Sequence, residues 1–149
     1  MSTETIETRS GGFSAEERAA MKARAAELRA EGKSGAKKAD GLQAVLDSIA
    51  KMAPEDRALA ERVHVTVTRA APHLSPRTWY GMPAYADADG KVVLSLKNSG
   101  KFGQRYSTLE FQDSAHLDDG VMWPVSFALV TWTPEVEEEV ARLVAAAVA

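Results

Sequence analysis

The chain has 149 residues, of which 45% are hydrophobic and 26% charged, enough for one complete hydrophobic core. It contains no cysteine, which excludes disulfides, thiolate metal sites and cysteine catalysis and favours a reducing compartment. A net charge of −3 argues against nucleic acid as a partner, and the lack of a signal-like or membrane-spanning apolar run predicts a cytoplasmic protein that does not contact a membrane.

The N-terminal region is predicted to contain one helix outside the main domain. Residues 1–12 carry almost no large apolar side chain and are expected to be a disordered tail. A capping box formed by Ser14 and Glu17 then begins a helix that continues to about residue 31. Because Met21 and Leu28 are its only large apolar residues, we expect this helix to lie on the domain surface, against a protein partner or against a second copy in a homodimer.

Residues 32–41, GKSGAKKADG, are predicted to be a linker that completes a segment over 13–41, because they are rich in glycine and offer no large apolar side chain. The globular domain is expected over 42–149. Its first helix is predicted to be capped by Asp40 and to place Leu42, Val45, Leu46 and Ile49 on one apolar face.

The next helix shows two conflicting patterns. Val63, Val65 and Val67 alternate with polar residues as in a strand, whereas apolar residues also recur every fourth position as in a helix. Pro54 followed by acidic residues is typical of a first helical turn, and Pro72 is typical of an end. We therefore predict a helix to residue 71.

The remaining chain is predicted to be β until a final helix that is capped by Thr133 and begins at Pro134. The expected strands cover residues 78–80, 84–86, 92–96, 106–111 and 125–132, with a hairpin turn at 87–90. This order predicts an α+β fold in which an antiparallel meander of four to five strands is covered by helices on one face. The expected core consists of Leu46, Ile49, Val63, Val67, Leu94, Leu96, Leu109, Phe127, Leu129, Val140 and Leu143.

From residue 46 to residue 144 the chain resembles the YdhG-like domain family, also called domain of unknown function 1801. The resemblance lies in a helix ending in AAP, the motif WYGMPAY, a glycine hairpin, a lysine-bearing turn and the late segment TPEVEEEVARLV. The segments FSAEERAAMKARAAEL and LDDGVMWPVSFAL are similar to an extended subgroup. The resemblance implies the α+β fold described above. Most relatives have no assigned activity, and one branch is described as a frataxin-like iron chaperone, so the resemblance also implies iron bound by acidic surface residues.

The stretch RTWYGMPAYAD at 77–87 is the main candidate site. Gly81 and Pro83 are expected to break the strand, so that neighbouring aromatic side chains converge on a groove instead of alternating between faces. Lysines at its rim would suit a small anionic or aromatic ligand. The candidate residues are Trp79, Tyr80, Met82, Tyr85, Lys97, Lys101 and Phe102. The alternative is that these aromatics are core residues around a bend.

A second candidate is a metal site for iron in the loop DSAHLDD, where Asp113, His116, Asp118 and Asp119 combine carboxylates with one imidazole. The alternative is a turn-rich loop whose side chains bond their own backbone. The glutamates at 135 and 137–139 would extend an acidic surface, or they simply stabilise a helix N-terminus.

The sequence shows no nucleophile spaced with a base and no carboxylate pair with separate roles, so nothing in it supports an enzyme. We expect a non-catalytic small-ligand-binding or accessory domain. The alternatives are an iron-binding chaperone that uses acidic surface residues and a protein-interaction module that uses the N-terminal helix.

Overall fold

A computed structural model describes residues 12–149 of the chain. In these residues it contains four α-helices and five strands, which confirms the predicted α+β class. In chain order the elements are α1 Ala15–Ala30, α2 Lys33–Ala50, α3 Pro54–Ala70, β1 Ser75–Trp79, β2 Met82–Ala86, β3 Val92–Lys97, a 3₁₀ turn Ser99–Lys101, β4 Ser107–Phe111, β5 Ser126–Leu129 and α4 Pro134–Ala147.

The five strands form one antiparallel meander in the order β1-β2-β3-β4-β5. Tyr85 lies opposite Leu94, and Leu96 lies opposite Leu109, so apolar side chains of successive strands fall on the same face. These side chains pack with Val63 and other residues of α3 and α4 in a single hydrophobic core. The predicted antiparallel meander with helices packed against it is confirmed.

The start of α1 is fastened to α3. The predicted capping box is present, with the Ser14 hydroxyl accepting from the Glu17 N–H and the Glu17 carboxylate accepting from the Ser14 N–H. Gly12 is buried, and its carbonyl accepts a hydrogen bond from Arg62 Nη1 at 3.1 Å. The predicted tail therefore ends before Gly12, and its residues 1–11 lie outside the described part of the chain.

The linker predicted over 32–41 is wrong, because α2 begins at Lys33 and runs through this stretch. Two glycines of this stretch lie in close contact with neighbouring elements. A side chain at Gly35 would collide with the Leu28 carbonyl of α1, and one at Gly41 would collide with the Pro76 carbonyl of β1. Asp40 is not a cap either, because it lies inside the helix and pairs with Arg29 at 2.9 Å. These glycines allow close packing of helices and sheet instead of ending a helix.

The strand-like alternation around Val63 is confirmed as helix, since α3 continues to Ala70. Every residue from Leu59 to Val67 is buried, including Arg62 and His64. A helix that is enclosed on all sides has no polar solvent face to display its 3.6-residue period. That enclosure explains why its sequence looked ambiguous.

Nine of the eleven predicted core residues are buried, and the exceptions are Leu46 and Phe127, which are half-buried. The last strand is also shorter than predicted, since it ends at Leu129. Beyond it the Trp132 indole N–H donates to Glu137 Oε1 at 3.2 Å, which joins the loop to the first turns of α4. Among the described residues no helix is both long and apolar enough to cross a membrane.

Candidate ligand-binding cleft

The WYGM segment forms a tight hairpin turn between two full strands. Tyr80 and Gly81 both have positive φ angles, of 52° and 76°, and Trp79 pairs directly with Met82 across them. Two such residues are characteristic of a two-residue turn matched to the twist of the sheet. The strand is therefore interrupted at Gly81 as expected, whereas the break expected at Pro83 is wrong because β2 already begins at Met82.

Pro83 is accommodated within β2 by its position in the ladder. It lies opposite Thr78, one step from the Trp79–Met82 pair next to the turn. Because paired residues alternate between hydrogen-bonded and non-hydrogen-bonded positions, the Pro83 nitrogen points away from β1. The missing N–H therefore costs no hydrogen bond to that strand.

The aromatic residues of the hairpin do not converge on one groove. Tyr85 is only 1% exposed and bonds His64 in the core, and Met82 is also buried. Trp79 is half-buried and lies against Tyr80, with ring centroids 5.1 Å apart, whereas Tyr80 itself is 77% exposed. Of the predicted groove, Tyr85 and Met82 therefore belong to the interior.

A cleft of about 670 Å³ lies beside the hairpin turn. It is bounded by the second half of α2, the start of α3, the turn itself and the 3₁₀ turn that follows β3. Its walls are formed by Ala44, Asp47, Ser48, Lys51, Met52, Ala53, Asp56, Thr78, Gly81, Asn98, Gly100 and Lys101. Among the predicted site residues only Lys101 is part of this wall.

Asp56 is the buried anchor of the cleft. Its carboxylate accepts hydrogen bonds from the Ser99 hydroxyl at 2.6 Å, the Gly100 N–H at 2.9 Å and the Asn98 side-chain amide at 3.1 Å. Burial by itself would raise the pKa of Asp56, but the three hydrogen bonds outweigh it and the pKa is lowered. The ionised carboxylate thus fixes the 3₁₀ turn and with it the position of Lys101.

Lys101 extends from this turn toward the hairpin. Its ammonium nitrogen lies 3.2 Å from the position that a Gly81 side chain would occupy. The Gly81 carbonyl in turn accepts a hydrogen bond from the Ser48 hydroxyl of α2 at 2.9 Å. Outside the cleft wall, the exposed Phe102 ring lies 5.6 Å from Lys97 Nζ and 5.8 Å from Lys101 Nζ. Lys97, Lys101 and Phe102 therefore lie close together, and Lys101 is the one of the three that lines the cleft.

The charged side chains that line the cleft differ in their hydrogen-bond partners. Asp47 accepts a hydrogen bond from the Gln43 side chain at 2.9 Å, and Asp56 has the three partners described above. Lys51 and Lys101 form no ion pair with any acid in residues 12–149. Neither aspartate forms an ion pair in this part of the chain either, so the four charged side chains of the lining balance to zero, and they differ in that both carboxylates accept hydrogen bonds from neutral groups.

The metal site predicted in the DSAHLDD loop is not assembled. No group of three or more histidine, aspartate or glutamate side chains within residues 12–149 is placed to hold a metal ion, so Asp113, His116, Asp118 and Asp119 do not form one. The His116 ring instead lies with Nδ1 2.9 Å from the Ala149 main-chain oxygen. The main-chain N–H of His116 donates to the Ala147 carbonyl at 2.8 Å. This loop fastens the end of α4 to the sheet.

The acidic start of α4 is likewise engaged in local contacts. Glu137 accepts from the Trp132 indole, and Glu139 forms two hydrogen bonds with Arg142 at 2.6 and 2.9 Å. The Arg142 guanidinium lowers the pKa of the Glu139 carboxyl. These contacts agree with the interpretation of the glutamates as helix-end residues.

Comparison with known proteins adds no relative: no family model matches the chain, and no curated protein or solved structure matches it either. The resemblance to the YdhG-like family stays a prediction from the motifs. The geometry of the cleft therefore carries the functional argument.

Proposed function

We propose that this protein is a non-catalytic binding module whose cleft takes a small ligand bearing an anionic group. The observation that carries the proposal is that, within residues 12–149, the two lysines of the cleft have no partner, while its two aspartates do. Lys51 and Lys101 have no acidic partner among the described residues, whereas both neighbouring carboxylates already accept hydrogen bonds. An anion that contacts one of these ammonium groups would gain a charge-assisted hydrogen bond without displacing an existing ion pair.

The size and chemistry of the walls support a small organic ligand. A volume of about 670 Å³ falls within the range of about 300 to 1,000 Å³ that is usual for small-molecule sites. Met52, Ala44 and Ala53 supply apolar surface for the body of such a ligand, and Thr78 adds a hydroxyl. The ligand class is therefore a compact molecule with an apolar or aromatic body and one anionic end.

The state of Asp56 supports binding rather than acid–base catalysis. A general base works best with a pKa near the operating pH, and the hydrogen bonds to Asp56 lower its pKa instead. Its carboxylate oxygens are also occupied by the 3₁₀ turn. No histidine lines this cleft.

The test compares two probes that differ in charge, benzoate and benzamide, by NMR titration of the ¹⁵N-labelled protein. We expect benzoate to shift the amides of Ser48, Lys51, Gly81 and Lys101 in a saturable manner. Replacing either cleft lysine, Lys51→Ala or Lys101→Ala, removes one charge-assisted hydrogen bond and should weaken benzoate binding about tenfold, with little effect on benzamide.

Lys91→Ala is the matched control, because Lys91 is exposed in the turn between β2 and β3 and its loss changes the net charge equally. Benzoate affinity should be unchanged in this variant. The proposal is wrong if Lys91→Ala weakens benzoate as much as Lys101→Ala does, or if the shifted amides are scattered over the surface.

A further inference from the structure

A second cavity, of about 440 Å³, lies beneath α1 on another side of the molecule. Its roof is α1, and its floor and walls come from α2, α3, the segment after α3 and the start of β1. The lining is mostly apolar and includes Met21, Leu28, Leu42, Leu74 and Pro76. This cavity shares no lining residue with the cleft beside the hairpin.

The cavity explains why α1 has so few large apolar residues. Met21 and Leu28 are the only large apolar residues of this helix, and both of them face the cavity. The helix is held over it at both ends. Glu17 pairs with Arg62 of α3 at 2.7 Å near the start, and Arg29 pairs with Asp40 of α2 at 2.9 Å near the end. The roof is thus a fixed part of the fold.

His64 is the fully buried polar side chain of this cavity; the other polar residues of the lining, Arg24, Lys38, Thr68, His73 and Ser75, are exposed or half-buried. The side chain is 1% exposed, and Nδ1 lies 2.7 Å from the Tyr85 hydroxyl. Burial lowers the pKa of His64 to about 4, so the imidazole is neutral at physiological pH. Among the described residues no side chain or main-chain group bonds the second ring nitrogen, Nε2. In either neutral tautomer this nitrogen can donate or accept one further hydrogen bond.

We propose that this cavity binds a largely apolar small molecule with a hydroxyl or carbonyl group that hydrogen-bonds His64 Nε2. The leucines at 28, 42 and 74 and the side chain of Met21 would enclose its apolar body. The hydrogen bond to His64 needs no charge on the ligand, because the imidazole is neutral. Two exposed cations also line the cavity: Arg24 lies 3.6 Å from Glu27 and 3.9 Å from Glu31, and Lys38 forms no ion pair in residues 12–149.

The experiment uses 2-naphthol as the probe, with naphthalene as the analogue that lacks the hydroxyl. Binding to the full chain is followed by methyl NMR and by the ¹⁵N shifts of the histidine rings. We expect 2-naphthol to shift the methyl signals of Met21, Leu28, Leu42 and Leu74 and to move the Nε2 resonance of His64. Naphthalene should bind about tenfold more weakly, since one hydrogen bond is lost.

Met21→Trp is the blocking variant, because a larger side chain at this half-buried position fills the cavity without removing a core residue. Its far-ultraviolet circular dichroism should match that of the parent protein, and its 2-naphthol affinity should fall at least about tenfold. Lys101→Ala should leave 2-naphthol binding unchanged, which separates this site from the anion-binding cleft.

Three results would each overturn the inference. One is the absence of saturable shifts at the four cavity residues. Another is unchanged 2-naphthol affinity in a folded Met21→Trp variant. The third is a His64 Nε2 resonance that does not move while naphthalene and 2-naphthol bind equally well.

Discussion

His64 Nδ1 and the Tyr85 hydroxyl lie 2.7 Å apart in the protein interior, and this contact joins α3 to β2, a strand inside the sheet. Both side chains are about 1% exposed, and their ring centroids are 5.7 Å apart. Burial lowers the pKa of His64 and raises that of Tyr85, so both groups are neutral. The pair is therefore a neutral hydrogen bond in a low-dielectric site, where an unpaired partner would be costly.

Stability is expected to fall as the pH is lowered from about 6.5 to 4. In this window the unfolded chain protonates His64, whose ordinary pKa is 6.5, whereas the folded chain does not until about pH 4. The unfolded state binds more protons, so the free energy of unfolding at pH 4.5 should be about 2 to 3 kcal/mol lower than at pH 7.5. Urea unfolding at both pH values measures this difference.

His64→Phe is the control for that measurement, because it removes the titrating group while keeping an aromatic ring. Most of the pH dependence between 6.5 and 4.5 should disappear in this variant, whatever its absolute stability. An unchanged pH dependence would show that His64 is protonated in the folded state.

Tyr85→Phe should lower the free energy of unfolding by about 1 to 3 kcal/mol, because it leaves His64 Nδ1 buried without its partner. The benzene ring retains the packing of the tyrosine, so the loss reports the hydroxyl alone. Tyr80→Phe is the matched control, since Tyr80 is 77% exposed, and it should change stability by less than about 0.5 kcal/mol. Equal losses in the two variants would contradict the assigned hydrogen bond.

Asp56→Ala should destabilise the protein by about 1 to 3 kcal/mol and loosen the 3₁₀ turn, because three donors lose their acceptor. Amide hydrogen exchange at Gly100 should become faster, since its N–H donates to Asp56. Asp47→Ala serves as the control, because Asp47 is exposed and has one side-chain partner. Unaltered exchange at Gly100 in the Asp56 variant would refute the anchoring role.

The role of Asp56 in the cleft could not be predicted from the sequence. An acid in the first turn of a helix has a sufficient local explanation in the helix dipole, so nothing marked Asp56 as a site residue. Its partners lie 42 to 44 positions away and become visible only when the sheet places the turn after β3 beside α3. Lys101 was proposed as a site residue because the strand that neighbours the aromatic segment leads to it. Local patterns reveal such neighbours, whereas distant hydrogen bonds require the fold.

Helix starts were predictable for the same reason. Ser14, Pro54 and Thr133 act through atoms within three or four residues, and all three helices begin where these residues predicted. The sheet order followed from the tendency of strands that are consecutive in the chain to pair with each other. The helix over 33–41 was missed because the effect of a glycine depends on what lies against it, which the local sequence does not contain.

Leu143→Ala should lower the free energy of unfolding by about 2 to 5 kcal/mol, because Leu143 is buried in the core that α4 shares with the sheet. The apolar stripe of α4 was predicted to face this core, and truncation leaves a cavity there. Val121→Ala, at a fully exposed site, is the control. Ala145→Gly would not serve, because it alters helix propensity. A loss below about 0.5 kcal/mol for Leu143→Ala would place its side chain outside the core.

Gly35→Ala should destabilise the protein, which is the reverse of the usual effect of this change inside a helix. Alanine normally stabilises a helix interior by about 1 kcal/mol relative to glycine. At Gly35 the added methyl group would collide with the Leu28 carbonyl, so α1 must move away from α2. Overpacking of this kind costs about 1 to 3 kcal/mol, which outweighs the gain in propensity.

A matched change distinguishes this contact from helix propensity. Ser34→Ala lies one position earlier in the same helix, is exposed, and should be neutral or slightly stabilising. The two variants are compared by urea unfolding, and 2-naphthol titration of Gly35→Ala adds a second readout. Displacement of α1 changes the roof formed by Met21 and Leu28, so affinity for this probe should fall together with stability. If Gly35→Ala proves more stable than the parent protein, α1 does not rest on α2 at this glycine, and the cavity beneath it is not closed as described.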